Sequence, residues 1–302
     1  MPIRTFSELR QRARQLGPKR VAVVMADDEV ALTAAHDAMR LGIATPVLIG
    51  DEPRIRALAA ATGLDDLLGQ AEFVATDAPA VAGAHLAGSG RVDIILKGHL
   101  RTDELLRALL DKEAGLRTGN LLSDILLYED TLSGATRLVG ITDGGLNVAP
   151  NLDQKKQIVQ NAIAVLHCLG VAKPKIAVMS ASDAISQGMP STTDAAALTE
   201  MGRQGVFGEA EVYGPLALDN ALLMSAAEAK GIRNPVAGRA DCMVAPSIEA
   251  GNLLGKAVKY FAGSQCAHVV VGAKVPILIP SRVESADDKV NAIALGVLYA
   301  GR

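Results

Sequence analysis

The chain has no tryptophan, and aromatic residues make up only 3% of its 302 positions. Stacking platforms for single-stranded nucleic acid are therefore not expected. A dominant sign of charge is also missing: 30 Lys+Arg face 33 Asp+Glu, for a formal net charge of −3. That argues against a protein-wide field for DNA or RNA, though a local cationic pocket stays compatible with it. Cysteine is sparse, at Cys168, Cys242 and Cys266. The three cannot all pair and have no zinc-ligand spacing, which fits reduced thiols in the cytoplasm. The opening MPIRTFSELRQRARQLGPKR is polar and basic, without the apolar segment of a signal peptide. The apolar stretch 268–280, HVVVGAKVPILIP, is broken by Gly, Lys and Pro and is too short to span a bilayer. HExxH, Cys/His clusters, GxSxG, GxGxxG and GxxxxGK[ST] are all missing, so no bound metal is expected.

What the chain does have is aliphatic bulk. AVILMFWYC residues are 49% of the total, enough for a large core, and the length suits two domains. Short Val/Ile-rich runs near 20–25, 45–50, 72–76, 93–98, 121–129, 137–142, 175–180, 210–214, 242–247 and 268–273 read as strands. Helical patterns lie between them over 29–41, 153–169, 192–202, 217–230, 251–261 and 285–299. This alternation predicts a mostly parallel sheet with helices on both faces. Polar turns at 130–136 and 143–153 suggest a boundary near 135–152.

Six segments carry side chains suited to chemistry. In 96–107, LKGHLRTDELLR, a strand ends at Lys97 and a helix begins near Thr102, with His99 and Arg101 adding cationic donors. Strand ends facing helix starts are where ligands bind in open α/β sheets. In 113–124 two glycines flank Arg117 and Thr118, which reads equally as an anion contact or a helix-end turn. The Asp-Gly-Gly of 141–151 reads foremost as a turn. Residues 213–222 carry Pro215 at an expected strand-to-helix turn, then Asp219. Residues 247–264 open a helix at Gly251-Asn252. Residues 271–296 place Ser281, Arg282, Glu284, Asp287 and Asp288 within eight positions. That set combines a hydroxyl, an anion-binding guanidinium and possible bases. Ser285 as N-cap, with acids in the first helical turn, is the ordinary alternative.

The ordered motifs KGHLRTDELL, GLRTGNLLSD, ITDGGLNVAPNLDQKKQIVQNA, MPSTTDAAAL, YGPLALDNA, NPVAGRADCMVAPSIEAGN and VVVGAKVPILIPSR resemble the phosphate acetyl/butyryl transferases, with the spacing closer to the butyryl branch. The resemblance implies a two-domain α/β/α sandwich similar to isocitrate and isopropylmalate dehydrogenases, with the active site in the interdomain cleft. Domain 1 would comprise residues 1–145, completed by 283–302, and domain 2 residues 146–282. It implies a cytoplasmic homodimer or higher homo-oligomer that exchanges a short acyl group, butyryl or acetyl, between CoA and phosphate. Acyl-CoA would be a substrate, with no tightly bound cofactor and no nucleic-acid or membrane partner. By matching positions, Ser281 would bind the thioester oxygen and Arg282 the phosphate. Asp288 would take the CoA thiol proton, with Glu284 and Asp287 as the other candidate bases. Lys97, His99, Arg107, Arg117, Thr118, Asp219 and Asn252 would bind substrate. Two other readings stand beside this one. A dehydrogenase on the same fold would form NADH with a divalent metal. A non-catalytic binder would hold acyl-CoA or acyl phosphate without turnover.

Overall fold

Val21–Val24 are all buried, as expected of a strand covered on both faces. The same holds for Val47–Ile49 and Ile94–Leu96, and these runs build the sheets of the protein. The computed structural model describes residues 1–132, 134–281 and 284–302. In chain order the elements are α1 (Phe6–Leu16), β1 (Lys19–Val24), α2 (Glu29–Arg40), β2 (Ala44–Gly50), α3 (Glu52–Ala61), α4 (Asp65–Gln70), β3 (Glu72–Ala75) and α5 (Pro79–Gly88). Then come β4 (Ile94–Lys97), α6 (Thr102–Leu109), β5 (Ser123–Asp130), β6 (Arg137–Thr142), α7 (Leu152–Cys168), β7 (Lys175–Met179), α8 (Pro190–Arg203) and β8 (Glu211–Leu216). The rest are α9 (Leu218–Leu222), α10 (Met224–Ala229), β9 (Cys242–Val244), α11 (Ile248–Tyr260), β10 (Cys266–Val271), β11 (Ile277–Leu278) and α12 (Ala286–Ala300).

The chain forms two compact units. A terminal unit holds Ser7–Asn120 and Ala267–Arg302, and a central unit holds Met1–Phe6 and Leu121–Cys266. The terminal unit orders its strands β3-β2-β1-β4-β11-β10. All neighbours in it are parallel except β10 and β11. Its last helix, α12, is buried from Asp288 to Tyr299 and packs on α2, β4 and β11. A helix buried this completely is a core element of its unit.

The central unit orders its strands β5-β6-β9-β7-β8. β5 and β6 form an antiparallel hairpin, so the polar turn at 131–136 lies inside this unit. The remaining pairs are parallel. Helix α7 opens on a capping box, in which Asn151 and Gln154 satisfy each other's backbone N–H groups. Two local expectations change. The helix expected over 217–230 is two helices, broken at the extended Leu223. Pro215 lies within β8 and does not open a helix. No disulfide links Cys168, Cys242 or Cys266.

Candidate functional site

In the terminal unit, β1, β4 and β11 run parallel and end at one edge. Beyond β1, Met25 takes a left-handed φ of 58°. Gly98, just after β4, is pressed against it: a Cβ there would fall 2.2 Å from the Met25 carbonyl oxygen. Gly98 N–H donates to the Val24 carbonyl and His99 N–H to that of Met25, both at 2.9 Å. The 97–101 loop is thus held across the end of β1. Lys97 is buried, and its Nζ lies 3.4 Å from the Gly98 carbonyl oxygen and 3.3 Å from that of Leu100. His99 is exposed at the same edge.

Two residues past β11 the chain reaches Pro280 and then Ser281. Ser281 N–H donates to Glu284 Oε1 at 3.0 Å, and His268 Nε2 of β10 lies 3.4 Å from that oxygen. Glu284 is buried. Ser285 and Asp288 form the capping box that starts α12, with Ser285 Oγ donating to Asp288 Oδ2 at 2.6 Å. Asp288 is 1% exposed, so its carboxylate is a structural part of the helix start. Lys289 Nζ lies 3.5 Å from Asp28 Oδ1, joining the first turn of α12 to the loop after β1. Asp287 pairs with Arg10 at 2.9 Å. Arg282 lies outside the described residues.

Lys97, His99, Ser281, Glu284 and Asp288 therefore gather at one strand edge. The remaining terminal-unit candidates do not join them. Arg107 is exposed on the last turn of α6 and lies 3.7 Å from Asp103. Arg117 Nε donates to the Leu110 carbonyl, capping the end of α6. Thr118 Oγ1 donates to the Gly272 carbonyl, and Lys274 N–H donates to that of Leu116. The 272–276 turn leads into β11, and Pro276 meets the start of β4 through Ile95 N–H. Arg117 and Thr118 thus sit at the opposite edge of this sheet, Arg117 against the end of α6.

The central unit also ends its parallel strands β6, β9 and β7 at one edge. After β6, Asp143 accepts from the N–H groups of Gly145 at 2.8 Å and Leu146 at 2.9 Å. Burial, and then the neighbouring Asp124 charge, hold its carboxyl above the usual range, while those N–H donors pull the other way. Gly144 and Gly251 let this loop touch the first turn of α11 backbone to backbone: a Cβ on Gly251 would fall 2.4 Å from the Asp143 carbonyl oxygen. Asn252 Nδ2 donates to the Gly144 carbonyl at 3.0 Å, which reinforces that contact. Asp219 is exposed on α9 and accepts from Asn220 N–H at 2.9 Å. Beside this loop lies a cavity of about 320 Å³ between strand ends and helices, with Ile141, Met179 and Met243 among its walls. Sequence reasoning missed it, because its walls come from separate strands and helices and most of their residues read locally as core. Among the described residues no group of three His, Cys, Asp or Glu is placed to hold a metal ion.

A family model described as phosphate acetyl/butaryl transferase matches residues 68–297. The chain belongs to this family. This phosphate acyltransferase is 38% identical to a phosphate butyryltransferase of Clostridium acetobutylicum, over 99% of both chains. It is 37% identical to a phosphate acetyltransferase of Rhizobium meliloti, over 98% of this chain and 94% of the relative. Among solved structures, a branched-chain phosphotransacylase from Enterococcus faecalis V583 superposes with a TM-score of 0.83 at 27% identity, covering 93% of this chain and 99% of the other. The acyltransferase thus has the phosphotransacylase α/β fold. No helix among its described residues is long and apolar enough to cross a membrane.

Proposed function

We propose that the protein exchanges a short acyl group, butyryl or acetyl, between CoA and inorganic phosphate at the Lys97–Ser281–Glu284 edge. The observation that carries this reading is the gathering of a buried ammonium, a serine and a buried carboxylate at the carboxyl ends of β4 and β11. A phosphate oxygen attacks the thioester carbonyl, the new C–O bond forms, and the C–S bond breaks as CoA thiolate leaves. Ser281 donates to the carbonyl oxygen as it gains charge. Arg282 binds the phosphate through its planar fork, and Lys97 adds positive charge beside it. In the reverse direction a base removes the thiol proton, since a thiol of pKa about 8.5 is mostly protonated at neutral pH. Glu284 is the acid next to Ser281 and serves as that base. Asp288, engaged in the helix cap, positions the segment. The same reading carries a cytoplasmic homodimer with no tightly bound cofactor.

The test is CoA thiol release from acetyl-, propionyl-, butyryl- and isobutyryl-CoA, with and without phosphate. Release that depends on phosphate is expected. Release at the same rate without phosphate would make the protein a thioesterase and overturn the proposal.

A further inference from the structure

Strand β10 is buried at every position except His268. An imidazole is costly to place among aliphatic side chains without a polar partner. One such partner lies on the segment before α12: His268 Nε2 is 3.4 Å from Glu284 Oε1. The topology brings the two together. β10 is antiparallel to β11, with Val270 opposite Ile277, so β10 begins at the edge where the parallel strands β4 and β11 finish. His268 stands in the first half of β10, and Ser281 and Glu284 follow β11 at that same edge.

Glu284 is held at both ends. Its backbone belongs to a reciprocal pair, in which Glu284 N–H donates to the Ser281 carbonyl at 3.1 Å and Ser281 N–H donates to Glu284 Oε1 at 3.0 Å. The capping box of Ser285 and Asp288 follows directly. The side chain of Glu284 is buried. A carboxylate with little water keeps its charge only where donors meet it. Ser281 N–H is one such donor and comes from the same short turn. His268 comes from the sheet, and at 3.4 Å its contribution is electrostatic more than that of a tight hydrogen bond. Side chains on strands are placed more precisely than those on loops. The imidazole is therefore a fixed point for a carboxylate carried on a loop. Facing an anion, Nε2 is the nitrogen that carries the hydrogen.

We infer that His268 is a positioning residue for the acyl exchange: from β10 it holds the Glu284 carboxylate where that group can take the CoA thiol proton. The role rests on the acyl-transfer reading above and acts through Glu284. In the step concerned the thiol proton passes to Glu284 and sulfur attacks the carbonyl of the acyl phosphate. The C–S bond forms, and the C–O bond breaks as phosphate leaves.

The experiment follows thioester formation from CoA and acetyl or butyryl phosphate, whichever wild type uses faster. It compares wild type with His268→Leu, His268→Asn, His268→Gln, Glu284→Gln and the double variant of His268→Leu with Glu284→Gln, each checked for folding by thermal melting. Glutamine places an amide N–H near the position of Nε2, whereas asparagine stops short at that of Nδ1. His268→Leu and His268→Asn should lower kcat about tenfold or more, the worth of one hydrogen bond to a charged group, with KM for CoA within about twofold. His268→Gln should stay within about threefold of wild type. In the Glu284→Gln background, His268→Leu should cost less than about twofold, because its effect passes through the missing carboxylate. Asparagine carries the comparison where leucine does not fold. A folded Leu or Asn variant at wild-type kcat, a Gln variant as slow as they are, or a full further loss in the double variant would each overturn the role of His268. A wild type that forms no thioester would refute the reaction itself and the role with it. A wild type that turns over beside an unaffected His268→Leu would refute the role alone.

Discussion

At the carboxyl edge of the terminal unit the loops carry Lys97, His99, Ser281 and Glu284. At the same edge of the central unit Ile141, Met179 and Met243, in the last two positions of their strands, border an apolar cavity. Both edges come from parallel strands followed by helices, so the wiring is shared and the chemistry is not. In the terminal unit, polar groups at the edge are held by short backbone contacts, such as Gly98 against Met25 and Ser281 against Glu284. In the central unit, small residues, Ala245 and Ala250 on the walls with Gly144 and Gly251 beside them, keep backbones close and side chains short. The fold dictates where a strand edge sits, and the residues at and just after the strand ends decide whether that edge is polar or apolar.

The largest test of this contrast compares two arginines of the terminal unit. Arg282→Ala should lower phosphate-dependent CoA release by about 10²–10³, or roughly 2–4 kcal/mol of transition-state stabilisation. Arg117→Ala, at the opposite edge, should change the rate by no more than about twofold and lose only a helix-end hydrogen bond of about 1 kcal/mol. Equal losses in the two variants would erase the distinction between the edges. Next in size are the two acids. Glu284→Gln should slow acyl phosphate formation's reverse reaction by about 10²-fold and leave a rate that climbs with pH toward the thiol's own ionisation. Asp288→Asn should show mainly as a loss of about 0.5–2 kcal/mol in urea unfolding, the worth of a helix cap. The opposite assignment of the two effects would exchange their roles.

Much of the fold is legible from sequence where buried strands read as uninterrupted aliphatic runs, as in Val21–Val24 and Ile94–Leu96. The capping box at Ser285 is legible too, because Ser and Asp stand three residues apart ahead of an apolar helix. Helix α1 is not legible from composition alone: Phe6, Leu9 and Ala13 are buried, but basic and polar residues surround them. The break at Leu223 has no Gly or Pro to announce it. It follows from long-range packing, since Gly238 lies against Met224 and donates its N–H to the Asn220 carbonyl. At the candidate site, Lys97 and Ser281 are 184 positions apart, and the parallel pairing of β4 with β11 unites them. The same pairing separates Arg117 from Ser281, although both stand in segments that suggest anion binding. Glu284's contact with His268 has no signal, because spacing says nothing about a neighbour across β10.

Smaller effects sharpen the comparison. Gly98→Ala would press a methyl into the Met25 carbonyl and should cost about 1–3 kcal/mol, read as a lower melting temperature. An unchanged melting point would mean the terminal edge is looser than its contacts indicate. The smallest effect concerns Asp143 of the central unit, whose carboxyl is held above its ordinary value of 3.8 by burial and by Asp124. In the unfolded chain this group ionises near that ordinary value, and in the folded chain only at higher pH. The folded state therefore binds more protons in between, and stability from this group is present at low pH and lost as pH rises through the folded value. Asp143→Asn removes the titration. The stability of the variant relative to wild type should become more favourable as pH rises from below 3.8 toward neutrality, measured by urea unfolding at matched ionic strength. A difference that stays flat, or falls, would mean that the N–H donors of Gly145 and Leu146 outweigh burial at this edge, and that the central unit tolerates charge there as the terminal unit does.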